Sequence, residues 1–191
     1  MKHIGIFGGS FNPVHIGHMI VADYMVQFGG FDEVWLMLSP QNPLKDSGDL
    51  RPQDERLVML RMAVGDSPRL KASDFEFSLP RPSYTYVTLD ALAEAYGPDY
   101  RFSLIVGSDN WAIFHRWRNG DYILQKYGVA VYPRLGYPIG MEAPGMRRVD
   151  APVVEISSTM IREAIASGHD MTYFLPAGVM NYIDQHKLYR Q

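Results

Sequence analysis

The 191 residues carry 18 Lys and Arg against 21 Asp and Glu, a net charge of −3, and a 47% hydrophobic share that can fill one sizeable core. With a pI near 6.0, bulk charge does not drive binding to nucleic acid, so a polyanionic ligand has to be met by a local cluster of donors. Zero cysteines exclude disulfides, thiolate nucleophiles and Cys-based zinc sites; with no signal peptide or apolar span of about 18 residues, the expectation is a cytoplasmic protein that makes no use of a membrane.

Ile4–Phe7 has the length of a short buried strand. Gly8, Gly9 and Ser10 break it, Asn12-Pro13 turns the chain, and from Ile16 the pattern becomes helical. Strand, glycine turn and helix is how a parallel sheet aims backbone N–H groups and a helix N-terminus at an anion, usually a phosphate. His15 and His18 stand at the helix entrance three residues apart, on one face if the helix begins there. A glycine turn alone is common in α/β proteins. A histidine pair at a helix start is not what capping asks for, because Ser, Thr, Asp and Asn are the usual caps. Neither Gly-x-Gly-x-x-Gly nor Gly-x-x-x-x-Gly-Lys-Ser/Thr is present, which argues against a dinucleotide fingerprint or a P-loop lysine.

The first helix is predicted to run from Ile16 to Phe28, apolar at 16, 20, 24 and 28 with Val21 and Met25 widening the stripe, and to end at Gly29-Gly30. Glu33–Leu38 reads as a second buried strand, made a parallel neighbour of the first by a right-handed crossover. Residues 39–52 form a polar, proline-rich loop beyond that strand's C-terminal end, where open α/β sheets bind ligands; Lys45 and Arg51 are candidate anion contacts. A helix from Gln53 to Val64 follows, its apolar side predicted at Leu57, Leu60, Met62 and Val64. Arg56 in its first turn opposes the macrodipole, which points to an anionic partner in the fold or in a ligand.

Leu70–Ala72 is a short third strand and 73–82 is irregular. Ser83 is the expected N-cap of a helix over 84–96, stopped by Gly97-Pro98. Arg101–Val106, a fourth strand, brings Gly107-Ser108-Asp109 to the same sheet edge as the first glycine turn, and two such turns side by side suit one nucleotide lying across both. Residues 110–126 read as two short helices broken near Trp117, with Arg116 and Arg118 beside it. Tyr127–Pro133 is a fifth strand ending at Arg134, and 135–150 is a surface connection rich in Gly, Pro and Met. Val153–Ile156 is expected as a last strand before Ser157-Ser158-Thr159 and Arg162. One hydroxyl caps a helix; three with an arginine one turn in resemble a second phosphate-binding helix start. Pro176 is placed at N1 of a closing helix to Gln185. The expected fold is a Rossmann-like open parallel α/β sheet of five to six strands with helices on both faces. It forms a single domain over 1–191, whose part from about 151 carries the Ile-Ser-Ser-Thr-x-x-Arg helix.

Gly-Gly-Ser-Phe-Asn-Pro-Val-His-Ile-Gly-His paired with Ile-Ser-Ser-Thr-Met-Ile-Arg resembles the nucleotidyltransferase superfamily with an H-x-G-H site. Within it the chain is most similar to the bacterial nicotinate-nucleotide adenylyltransferases. Ser-Pro-Gln-Asn-Pro-Leu-Lys at 39–45 is similar to their proline-rich substrate loop, and Ser83-Tyr84-Thr85 with Thr88-Leu89 to the start of their substrate-pocket helix. Gly107-x-Asp109, with Trp117 eight residues on, is similar to their nucleotide turn and ring-stacking position. The likeness runs from residue 4 to about 183. It departs at Leu44, where the family commonly has His, so the loop keeps the Lys45 cation without an imidazole.

The resemblance implies transfer of the adenylyl group of ATP to nicotinate mononucleotide, giving deamido-NAD and pyrophosphate in NAD biosynthesis. Adenylyltransferases of the same fold acting on nicotinamide mononucleotide or phosphopantetheine are the near alternatives, and a non-enzymatic nucleotide sensor is a distant one. A class I aminoacyl-tRNA synthetase fragment would share His-Ile-Gly-His, yet no Lys-Met-Ser-Lys-Ser loop accompanies it. By the resemblance the catalytic residues are His15, His18, Lys45 and Arg162. ATP would be held by Gly8, Gly9, Ser10, Phe11, His18, Gly107, Asp109, Ile156, Ser157, Ser158 and Arg162. The pyridine nucleotide would be held by Asn42, Lys45, Tyr84, Thr85, Trp117 and Arg134. Mg²⁺ is expected on the ATP phosphates with no protein side chain as ligand. The partners implied are ATP and a pyridine mononucleotide, without nucleic acid or membrane; a homo-oligomer is left open.

Overall fold

Among the described residues six strands pair into one all-parallel sheet: β1 (Lys2–Gly9), β2 (Glu33–Leu38), β3 (Leu70–Ser73), β4 (Tyr100–Gly107), β5 (Val129–Tyr132) and β6 (Met146–Arg148). The computed structural model describes residues 1–40, 50–140 and 142–190. The strand order is β3-β2-β1-β4-β5-β6, that of a doubly wound sheet whose winding reverses between β1 and β4. β2 is buried along its whole length, as a strand covered on both faces must be.

Alternation along the strands feeds two cores. Phe7, Leu36, Leu38 and Ile105 point to the layer of α1 (Ile16–Gln27), α2 (Gln53–Val64), α6 (Ser158–Ala166) and α7 (Val179–Gln185). Ile4, Ile6, Trp35 and Leu104 point to the other layer, which holds α3 (Thr85–Tyr96) and α5 (Gly120–Lys126), with the short α4 (Ser108–Ala112) following β4.

Several sequence expectations are corrected. Phe28 is 72% exposed, because α1 ends at Gln27 and the helical phase ends with it; the buried face is Gly17, Val21, Ala22, Met25 and Val26. On α2 it is Met59 that is buried, and Met62 faces outward. The segment 135–150 contains β6, an edge strand with only Met146 buried, too short to register as an apolar run. Residues 153–156 form no strand: they carry no regular secondary structure, and none of the six sheet strands pairs with them. Gly178, not a residue before Pro176, caps α7. Ser83 does not cap α3; its hydroxyl is engaged elsewhere and Tyr84 takes the cap position.

Among the described residues Arg56 has no carboxylate partner. It is 1% exposed and its guanidinium donates to four carbonyls: Arg51 O at 2.8 Å, Ser10 O at 2.7 Å, Ser39 O at 2.9 Å and Pro40 O at 2.9 Å. The cation therefore ties the turn after β1, the end of β2 and the start of α2 into one unit. Arg56→Ala leaves those carbonyls without donors and is expected to cost about 3–5 kcal/mol. For a chain of this size that is a fall in Tm on the order of 10 °C by thermal unfolding. Arg56→Lys, with three donors on one nitrogen, is expected to recover part of it. A fall under about 2 °C for Arg56→Ala would contradict the role.

Candidate active site

Where the winding reverses, β1 and β4 part at their C-terminal ends and a crevice opens. A cavity of about 940 Å³ fills it, at the large end of the roughly 300–1,000 Å³ typical of ligand sites. Every predicted site residue among the described residues lines this one cavity. They come from the turn after β1 (Gly8–Phe11), the start of α1 (His15, His18), the start of α3 (Tyr84, Thr85), the turn after β4 (Gly107, Asp109), Trp117, Arg134, and the start of α6 (Ile156, Ser157, Ser158, Arg162). Asn42 and Lys45 lie outside the described residues.

The two histidines form a stacked pair, ring centroids 3.7 Å apart. The His15 backbone N–H donates to His18 Nδ1 at 3.2 Å, which places the proton of a neutral His18 on Nε2. A Cβ on Gly17 would press to 3.1 Å of His15 Nδ1, so glycine between the histidines leaves the ring its place. Phe11 holds the other flank of His18, edge on at 4.9 Å, from a backbone at φ +43. A buried phenyl ring in that left-handed conformation is strain that the packing around it has to enforce.

Burial, helped by the nearby Arg134 charge, pushes the His15 pKa down to about 4. His15 is thus neutral at pH 7 and offers a hydrogen bond, not a standing charge; a phosphate has to bring its own charge before the imidazole takes a proton. Among the described residues three buried side-chain atoms have no hydrogen-bond partner: His15 Nδ1, Asp109 Oδ1 and Trp117 Nε1. All three belong to residues lining this cavity, and buried polar atoms are otherwise nearly always paired.

The second helix start divides its hydroxyls. Ser157 Oγ accepts from the Met160 N–H at 3.1 Å, an ordinary cap. Ser158 Oγ donates to Pro13 O at 2.9 Å, so its proton serves the turn before α1. Arg162 Nη1 likewise donates to Asn12 O at 3.0 Å, leaving the rest of the guanidinium for a ligand. Asn12 Oδ1 accepts from the Arg51 N–H at 3.3 Å and the Tyr189 hydroxyl at 2.9 Å. The starts of α1 and α6 are thereby tied to each other beside the cavity.

On the other wall Trp117 packs against Phe114 with centroids 5.2 Å apart, and the Arg118 guanidinium lies 4.8 Å over the Tyr84 ring. Gly107 admits no side chain, since a Cβ would collide with the Asp109 carboxylate and with Arg134. Arg134 reaches back to Asp109, Nε to Oδ2, at 3.9 Å. Two residues of the site escaped sequence reasoning. Asn12 reads as mere turn chemistry, and Glu76 sits in an irregular stretch between two phenylalanines; an acidic residue in so apolar a setting is the one signal that was there.

A doubly wound sheet with two helix starts tied together over its switch point is the frame of the dinucleotide-type nucleotide-binding folds. Residues 6–164 match the cytidylyltransferase-like family. A Bacteroides fragilis (strain YCH46) protein named "Probable nicotinate-nucleotide adenylyltransferase" is 48% identical over 183 residues, covering 95% of this chain and 90% of that one. One of the same name from Flavobacterium johnsoniae is 43% identical over 192 residues, covering 98% and 99%. The Plasmodium falciparum nicotinic acid mononucleotide adenylyltransferase complexed with NaAD shares the fold, with a TM-score of 0.84 at 22% identity over 99% of this chain and 98% of that one. The chain belongs to the cytidylyltransferase-like family and, within it, to the nicotinate-nucleotide adenylyltransferases.

The depressed His15 pKa has a consequence for stability. The unfolded chain takes up a proton near pH 6.5 and the folded chain only near 4, so this contribution is complete above about pH 6.5 and is lost as pH falls toward 4. Its size is on the order of 3 kcal/mol. Unfolding free energies measured from pH 7 to 4 are expected to fall more steeply for the native chain than for His15→Gln. Parallel curves would contradict a buried neutral His15.

Proposed function

We propose that the chain transfers the adenylyl group of ATP to the phosphate of nicotinate mononucleotide, releasing pyrophosphate and forming deamido-NAD, as a cytoplasmic enzyme of NAD biosynthesis. The observation that carries this reading is the convergence of both phosphate-binding helix starts, with three unpartnered buried polar atoms, on one cavity. The names of the relatives favour the nicotinate acceptor over nicotinamide mononucleotide or phosphopantetheine.

A phosphate monoester has its second pKa near 6 and is already a dianion at pH 7, so no general base is required. One of its oxygens attacks the α-phosphorus of ATP, and the bond from that phosphorus to the oxygen leading to the β-phosphate breaks. What the protein has to supply is alignment and stabilisation of the charge that moves onto pyrophosphate. His18 Nε2–H, the α6 backbone amides with Ser157 and Ser158, and the remaining donors of Arg162 hold the triphosphate. His15 bridges phosphates at the reacting centre as a neutral imidazole. Gly8–Phe11, Gly107, Asp109 and the Ile156 backbone hold adenosine. Tyr84, Thr85 and Trp117 hold the pyridine ring, and Arg134 with Asn42 and Lys45 serves the substrate phosphate, the last two by sequence alone. Mg²⁺ enters as part of MgATP. The donors around the phosphates are imidazole, guanidinium and amide, which suit phosphate oxygens, and no group of three or more His, Asp or Glu able to hold a metal occurs among the described residues.

His18→Ala is expected to lower kcat/KM by about a hundred- to a thousandfold with the fold intact. Trp117→Ala is expected to raise the KM for the pyridine nucleotide about tenfold, the scale of a lost stacking contact, and to spare the KM for MgATP. Both are read by pyrophosphate release. An unchanged kcat/KM for the first, or a rise confined to ATP for the second, would overturn the assigned roles.

A further inference from the structure

Glu76 lies in the wall of the cavity, 8% exposed, in a 3-10 turn between β3 and α3. Its Oε2 accepts from Ser39 Oγ at 2.9 Å and Ser83 Oγ at 3.1 Å, and its Oε1 from Thr88 Oγ1 at 2.9 Å. The three hydroxyls come from the end of β2, the residue before the α3 cap and the first turn of α3. None of its partners among the described residues is a cation, and burial raises its pKa above the usual carboxylate range despite the three donors. As an element of stability this is a poor choice. An apolar side chain could join the same segments without the cost of a desolvated carboxyl.

The consequence lies at α3. Ser83 is the residue that sequence chemistry would make its N-cap, yet the hydroxyl is turned to Glu76. The helix starts one residue later, on Tyr84, which supplies no side-chain cap. The first N–H groups of a helix have no carbonyl of their own to bond. Here the Val87 N–H is met by Tyr84 O at 2.9 Å, and the two N–H groups before it lie where Tyr84 and Thr85 line the cavity. A carboxylate is the side chain suited to this role. Its two oxygens, with about four acceptor positions, draw three hydroxyl protons at once, and no amide or alcohol of that size does so.

We infer that Glu76 is a positioning residue for acid-over-amide specificity: by holding the Ser83 hydroxyl away from α3 it keeps the helix start uncapped for the carboxylate of the pyridine ring. This rests on the proposed use of Tyr84 and Thr85 in the pyridine subsite. The role assigned to Glu76 needs no contact with either substrate; it acts through Ser83 and Thr88.

The test compares native chain, Glu76→Gln, Glu76→Met and the double variant Glu76→Met/Ser83→Ala. The readouts are kcat/KM for nicotinate and nicotinamide mononucleotides, the KM for MgATP, calorimetric binding of nicotinate mononucleotide and the Tm. Glu76→Met is expected to lower the acid-over-amide preference at least tenfold and to raise the KM for nicotinate mononucleotide by a similar factor, with the MgATP value within twofold. Glu76→Gln, which keeps one acceptor oxygen, falls between, with a Tm equal to or above that of the native chain. Removing the Ser83 hydroxyl from the Met variant is expected to restore at least threefold of the lost preference. An unchanged preference, or equal rises in both KM values with a lowered Tm, would overturn the inference and leave Glu76 a structural residue. If Glu76→Met does not fold, Glu76→Gln and Thr88→Val decide by the same readouts. Absence of turnover in the native chain would instead refute the proposed activity, and the binding titrations would still decide the role of Glu76.

Discussion

The buried guanidinium of Arg56 is the constraint on which the site depends. Its four acceptors are carbonyls of the turn after β1, the end of β2 and the approach to α2, stretches that lie beyond the ladder of paired strand residues. Carbonyls at the C-terminal edge of a parallel sheet point into the crevice region and need donors. A single cation with five N–H groups in fixed geometry meets several of them at once. From there the bonds continue outward. Ser39, whose carbonyl Arg56 holds, sends its hydroxyl to Glu76 in the opposite layer. Arg51 sends its N–H to Asn12, which also receives Tyr189, while Arg162 binds the Asn12 carbonyl. The glycine turn is thus held from every side by groups distant in sequence.

That rigidity explains how a chain with a net charge of −3 can handle two polyanions. In the proposed site, attraction from bulk charge is replaced by a small set of donors fixed before the ligand arrives, which avoids reorganisation during the reaction. The neutral state of His15 belongs to the same design. A standing charge in so buried a place would have to be desolvated, whereas a neutral imidazole costs little and still offers a hydrogen bond.

Much of this was legible in the sequence, and the reasons are physical. The order of apolar runs and crossovers gave β2 and α2 to the residue, and the two glycine turns fell on one sheet edge as the topology demands. The His15/His18 pair and the Ser157–Arg162 run stood out because ordinary capping does not need them. Local pattern failed where the partner is distant. Arg56 called for an anion and is met by carbonyls from three segments; Ser83 had the chemistry of a cap and was drawn off by Glu76. β6 failed for a different reason, a three-residue edge strand having too few apolar positions to show a period.

On the proposed reading, this cavity joins MgATP to a nicotinate nucleotide. The most direct measurement is pyrophosphate release with MgATP and a panel of acceptors: nicotinate mononucleotide, nicotinamide mononucleotide and phosphopantetheine. A kcat/KM preference of about a hundredfold or more for the nicotinate form, roughly 2.7 kcal/mol, is the predicted result. Preference for another acceptor would keep the ATP half of the site and contradict the assignments at Tyr84, Thr85 and Trp117, and no release with any of them would contradict the activity itself.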